Sequence, residues 1–163
     1  MTITQSTMDS PLGTLLITVE DDLVTRAEFV ADSDLPAGIE AAPASPVLRE
    51  AEQQFAAYFA GDLREFDLPM APRGTVFQRR VWGQLREIPY GVTTSYGEIA
   101  RRLGMKPGAS RAVGTANGAN PIAIAVPCHR VIGSSGRLIG YAGGLPRKRF
   151  LLGLEAPDLL FRD

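Results

Sequence analysis

Near its middle the chain carries Leu68-Pro69-Met70-Ala71-Pro72, a run that neither a helix interior nor a central strand readily accommodates. It reads as a linker dividing the 163 residues into two small domains, 1–72 and 73–163. Charge changes sign across it. The first part holds three arginines against thirteen carboxylates, a net of −10; the second holds fourteen basic residues against five acidic, a net of +9. The total of −1 therefore joins an acidic half to a basic half suited to phosphates.

The chain has one cysteine and one histidine, adjacent to each other at Cys128 and His129. An intramolecular disulfide is impossible, and a structural zinc site lacks enough Cys and His ligands. The longest apolar run, Phe55 to Ala60, has six residues where a membrane span needs about 20. The polar start has no basic-then-apolar signal order. A soluble cytoplasmic protein with no membrane partner is expected.

In the first half, Leu12 to Val19 and Leu23 to Val30 predict a β-hairpin across Glu20-Asp21-Asp22. After an Ala/Pro-rich loop, Ser45 caps and Pro46 starts a helix to about Ala60, with Val47, Leu48, Ala51, Phe55, Tyr58 and Phe59 inward and Gly61 ending it. In the second half, Thr75 to Ile88 is helical with Val76, Phe77, Val81, Trp82 and Leu85 inward. Ser95-Tyr96-Gly97-Glu98 matches a capping box opening a helix to Leu103. A second short helix, Ala109 to Asn117, makes a helix-turn-helix candidate. Helical hairpins are common, so the pattern alone does not settle a partner. Ile122 to Val126 predicts a short buried strand or extended segment aimed at Pro127-Cys128-His129-Arg130-Val131, and a basic helix from Pro146 ends near Glu155.

A lone cysteine is most often a small buried hydrophobe. Cys128 differs because it follows an apolar segment and a proline and precedes the only imidazole and an arginine. A nearby base or positive charge turns a thiol into the reactive thiolate. In extended chain, neighbouring side chains point to opposite faces, so contact of sulfur and ring requires a turn at 128–129 or a bridging water. The imidazole needs an orienting carboxylate, for which Glu87, Glu98 and Glu155 are equal candidates by sequence.

The run Asn120-Pro121-Ile122-Ala123-Ile124-Ala125-Val126-Pro127-Cys128-His129-Arg130-Val131-Ile132-Gly133, followed by Gly140-Tyr141-Ala142-Gly143-Gly144-Leu145, resembles the O6-alkylguanine-DNA alkyltransferases. Phe77-Gln78, Trp82, Pro89-Tyr90-Gly91, Thr94 to Glu98 and Arg111-Ala112-Val113-Gly114 extend the likeness over the basic half. The acidic half fits more loosely. The resemblance implies an α+β fold: a small ribonuclease-H-like sheet/helix domain, then a mostly helical, winged-helix-like domain with the helix-turn-helix. It implies repair by transfer of an alkyl group from O6 of guanine in duplex DNA to the protein's own cysteine, once and without a cofactor.

On that resemblance Cys128 would be the acceptor, His129 would take its proton through a water, and Glu155 would hold His129. Asn120 would tie the recognition helix to the active-site segment. Tyr96 would donate to guanine N3 and help rotate the nucleotide out of the stack. The carbonyls of Cys128 and Val131 would face the exocyclic amine, the Ala142 amide would face O6, and Tyr141 would line the pocket. Arg111 would fill the vacated position, with the small Ser110 and Ala112 allowing entry to a minor groove about 6 Å wide. Arg79, Arg80, Arg101, Arg102 and Lys106 would grip phosphates in a salt-sensitive, nonspecific way. The implied partner is duplex DNA carrying O6-alkylguanine, bound by a monomer, with cooperativity and action on O4-alkylthymine left open.

Two departures concern the pocket rim: Ala123 stands where some members carry proline, and Ala142 where some carry serine. The zinc that some members bind in the first domain has no Cys or His ligands here. A noncatalytic damage-binding relative would have another residue at position 128, and a Cys-His hydrolase would turn over repeatedly.

Overall fold

The computed structural model describes residues 2–39 and 45–159. They form two compact units, one reaching to Arg73 and including Pro121–Ala123, the other made of Gly74–Asn120 and the chain from Ile124 onward. The architecture is α+β, a small sheet with one helix and then a mostly helical unit.

The first unit is an antiparallel sheet in the order β1 (Ile3–Ser10), β2 (Gly13–Glu20), β3 (Leu23–Phe29). The expected hairpin is β2 and β3, closed with Glu20 opposite Leu23. Its two turn residues, Asp21 and Asp22, have φ of 50° and 65°, the twist that a two-residue hairpin turn favours. The central strand β2 is buried from Leu15 to Val19. β1 is an addition to the sequence reading: its residues are mostly polar and only Thr4 is buried, as an edge strand permits, so it lacks the apolar alternation that marks a strand.

Helix α1 (Pro46–Phe59) packs on this sheet and begins at Ser45, whose Oγ accepts from Leu48 N at 3.2 Å. Leu48, Ala51, Phe55 and Tyr58 are its buried apolar residues. Pro121–Ala123 joins β3 through Ala27 N to Pro121 O (2.9 Å) and Ala123 N to Ala27 O (2.8 Å). The strand expected over 122–126 is thus a single parallel bridge at Ile122. The chain leaves it in a turn that places Ile124 at φ 70°, a conformation that apolar patterning does not reveal.

In the second unit, α2 (Val76–Leu85) opens with a reciprocal capping box between Thr75 and Gln78. It ends before the expected Ile88, and Val76, expected inward, is 68% exposed in its first turn. Ser95 caps α3 (Tyr96–Arg102), its Oγ accepting from Glu98 N at 3.1 Å. The Glu98 carboxylate engages Arg101 and Arg102 instead of closing the box. After a 3-10 turn at Pro107–Ala109, α4 (Ser110–Gly118) completes the helix-turn-helix. Trp82, 1% exposed, ties α2 to α4 by donating Nε1–H to Ala116 O at 2.8 Å. A short parallel pair, β4 (Thr94–Ser95) with β5 (Val131–Ile132), sets the start of α3 beside the segment after Cys128, and α5 (Leu145–Glu155) closes the unit. Among the described residues no helix is long and apolar enough to cross a membrane.

Replacing Trp82 by Phe removes the donor to Ala116 and part of a buried ring. The variant is expected to lose about 2 kcal/mol in urea unfolding with an unchanged slope against denaturant.

Candidate active site

Pro127 sets the approach to Cys128. At φ −83° and ψ 67° it makes an inverse γ-turn in which Cys128 N donates to Val126 O at 2.8 Å. Cys128–Arg130 then form a 3-10 turn, so the two neighbouring side chains are not forced to opposite faces as in extended chain. Asn120 holds the same segment through Nδ2–H to Val126 O at 2.7 Å. Tyr96, Ser110, Arg111, Cys128, Tyr141 and Ala142 line a cavity of about 450 Å³ together with part of α4 and with Ile139 and Gly140. Ala123 is not in its wall but in the first unit.

Behind the thiol is a buried charged cluster. His129 Nε2 lies 2.7 Å from Glu155 Oε2, and both side chains are at most 1% exposed. Arg130 reaches the same carboxylate with Nε on Oε1 at 2.7 Å and Nη2 on Oε2 at 3.1 Å, and gives Nη1–H to Ile88 O at 2.7 Å. Burial alone would raise the Glu155 pKa; hydrogen bonds from His129 and Arg130 and the charge of Arg130 outweigh it and bring the carboxyl down to about 2. Burial lowers the His129 pKa more than the Glu155 contact raises it, so the imidazole is neutral. A neutral ring facing a carboxylate donates from Nε2, which leaves the buried Nδ1 as an acceptor without a protein partner among the described residues.

Burial also raises the pKa of the Cys128 thiol, opposed by a hydrogen bond from Asn120 and by the charge of Lys148. Lys148 is fully buried and donates to the carbonyls of Val131 (2.6 Å), Ile139 (3.0 Å) and Gly140 (3.1 Å). The Tyr96 hydroxyl donates to Ile139 O at 2.8 Å, and burial pushes its pKa to about 12. The Tyr141 pKa is held far above its ordinary value, also by burial, and its hydroxyl is buried without a hydrogen-bond partner among the described residues.

Two family descriptions match the sequence, the 6-O-methylguanine DNA methyltransferase ribonuclease-like domain over residues 3–72 and its DNA binding domain over 76–157. The chain belongs to the 6-O-methylguanine DNA methyltransferase family. Among named family members, the methylated-DNA–protein-cysteine methyltransferase of Mycolicibacterium paratuberculosis is 53% identical over 149 residues, 91% of this chain and 90% of that protein. The crystal structure of the Mycobacterium tuberculosis O6-methylguanine methyltransferase superposes with a TM-score of 0.84 at 49% identity, covering 98% of this chain and 96% of that one. The structure of the M. tuberculosis protein in complex with DNA gives 0.84 at 50% identity, covering 94% and 93%.

For this family member, the structure brings Cys128, Tyr96, Tyr141, Ala142, Ser110 and Arg111 to one cavity and places His129 and Glu155 behind it. Ala112 is exposed on α4, and Val131 O is taken by Lys148. The basic residues are less free than their count suggests. Arg101 and Arg102 both pair with Glu98, and Arg80 Nη2 donates to Leu103 O at 3.4 Å, whereas Arg79 and Lys106 are exposed. Sequence reasoning overlooked Lys148, which sits among basic residues of a terminal helix and reads as surface. It treated Arg130 as a charge for the thiol, but the guanidinium is directed to Glu155.

Glu155→Gln leaves the buried Arg130 without a counter-charge and is expected to cost about 3–5 kcal/mol in denaturant unfolding. The pH dependence distinguishes it from a packing defect. Because the folded carboxyl sits near 2 rather than 4.5, its contribution is complete above 4.5 and is lost as pH falls toward 2. The acid limb of the wild-type stability curve between those values should be shallower in E155Q.

Proposed function

We propose that the protein repairs duplex DNA by moving an alkyl group from O6 of guanine onto Cys128. The observation that carries this reading is the cavity with the sole cysteine in its wall, backed by a neutral imidazole on a buried carboxylate, in a chain of this family. His129 Nδ1 accepts the thiol proton by way of a water. The thiolate attacks the alkyl carbon, the S–C bond forms as the C–O6 bond breaks, and the electron pair leaves with the guanine, which regains a proton. The thioether is beyond the reach of a general base, so each molecule acts once.

A base stacked in the duplex cannot present O6 to a thiolate, so the nucleotide leaves the stack. Arg111, exposed at the start of α4 and lining the cavity, fills the gap, while Ser110 and Ala112 let the helix sit in the minor groove. Tyr96 exchanges its bond to Ile139 for guanine N3. Cys128 and Val131 present carbonyls to the exocyclic amine, Ala142 presents its amide to O6, and Tyr141 lines the ring's place. Asn120 couples α4 to the reacting segment. Arg79, Arg80, Arg101, Arg102 and Lys106 supply a nonspecific phosphate grip for a monomer acting in the cytoplasm.

Incubation with duplex DNA carrying one O6-methylguanine should add the mass of one methyl, less the displaced proton, to the peptide containing Cys128, and stop at one equivalent. Cys128→Ala should transfer nothing while retaining DNA binding. An unchanged mass contradicts the proposal, and continued turnover points to a hydrolase.

A further inference from the structure

Helix α4 touches the active-site segment at a second carbonyl. Asn117, 4% exposed, donates Nδ2–H to Cys128 O at 3.3 Å, while Asn120 holds Val126 O. A carbonyl only accepts, so this contact fixes the orientation of the Asn117 amide and turns its oxygen the other way. Oδ1 is buried and has no hydrogen-bond partner among the described residues, although Asn117 contributes to the wall of the cavity that holds Cys128. An unsatisfied buried acceptor is costly and calls for a donor.

We infer that Asn117 is a specificity-determining residue that pins the Cys128 carbonyl through Nδ2 and offers Oδ1 as a second acceptor to the same N–H of the extrahelical base that faces that carbonyl, the other N–H being left to Val131 O. The inference rests on the repair reading above. Alkylation at O6 strips guanine of its N1 proton, so the exocyclic 2-amine is the only N–H donor group such a base retains on its pairing edge. An O4-alkylthymine has none: N3 is unprotonated and N1 carries the sugar. A pocket whose buried acceptor must be paired therefore favours O6-alkylguanine over O4-alkylthymine by a chemical difference remote from the reacting carbon. Hydrogen-bonding sites reject analogues lacking the partner more strongly than apolar ones, because the site's own group is left unpaired.

The test compares methyl transfer from O6-methylguanine and from O6-methylhypoxanthine, which differs only by lacking the 2-amine, at one position in the same duplex. It uses the full chain and the variants Asn117→Asp and Asn117→Leu, each checked for cooperative melting. The unsubstituted protein should favour O6-methylguanine by about tenfold. N117D keeps an acceptor and should preserve most of that ratio even where both rates fall; N117L should narrow it to about threefold, the remainder being held by the Cys128 and Val131 carbonyls. Where N117L does not fold, N117A gives the same readout. An unchanged ratio in the variant lacking the acceptor, with both substrates slowed alike, would mean that Asn117 is structural only and overturns the inference alone. No transfer from O6-methylguanine by the unsubstituted protein overturns the repair reading and this inference with it.

Discussion

The second unit is organised around a carboxylate removed from water. Glu155, at the end of α5, meets a guanidinium and an imidazole from one 3-10 turn, and Arg130 supplies the positive charge that keeps it ionised. Two consequences follow. The helix end and the turn at Cys128 are locked together, since releasing either strands a buried charge. The imidazole, facing an anion through Nε2, has its free lone pair on Nδ1, the arrangement a general base requires.

The same economy of contacts extends to the backbone. Cys128 offers its carbonyl to Asn117 of α4 and Val126 its own to Asn120 just beyond that helix, and Val131, Ile139 and Gly140 offer theirs to one lysine of α5. The helix proposed to enter the minor groove is thereby connected to the reacting segment by hydrogen bonds rather than by apolar packing alone. A displacement of α4 has a direct route to the position of the sulfur.

Local chemistry made much of this legible beforehand. Ser45, Thr75 and Ser95 mark helix starts, and Asp21-Asp22 marks the hairpin, because caps and tight turns depend on residues a few positions apart. The adjacency of Cys128 and His129 drew attention to the site for the same reason. What escaped depends on distant partners. By residue type alone Glu155 was indistinguishable from Glu87 and Glu98; only the family resemblance singled it out, and the fold brings it, 26 residues away in sequence, to its imidazole. Lys148 looked like another solvated charge, and Asn117 like a polar residue near a helix end. β1 was missed because an edge strand needs little apolar surface, and the positive φ at Ile124 is imposed by the turn rather than by residue type.

The single histidine makes the central claim directly measurable. With ¹⁵N-labelled imidazole, a spectrum of the free protein at neutral pH should show one protonated nitrogen, Nε2, and one unprotonated nitrogen, Nδ1, with no conversion to imidazolium as pH falls through the ordinary histidine range near 6.5. A ring protonated on both nitrogens at neutral pH, or carrying its proton on Nδ1, would contradict the account.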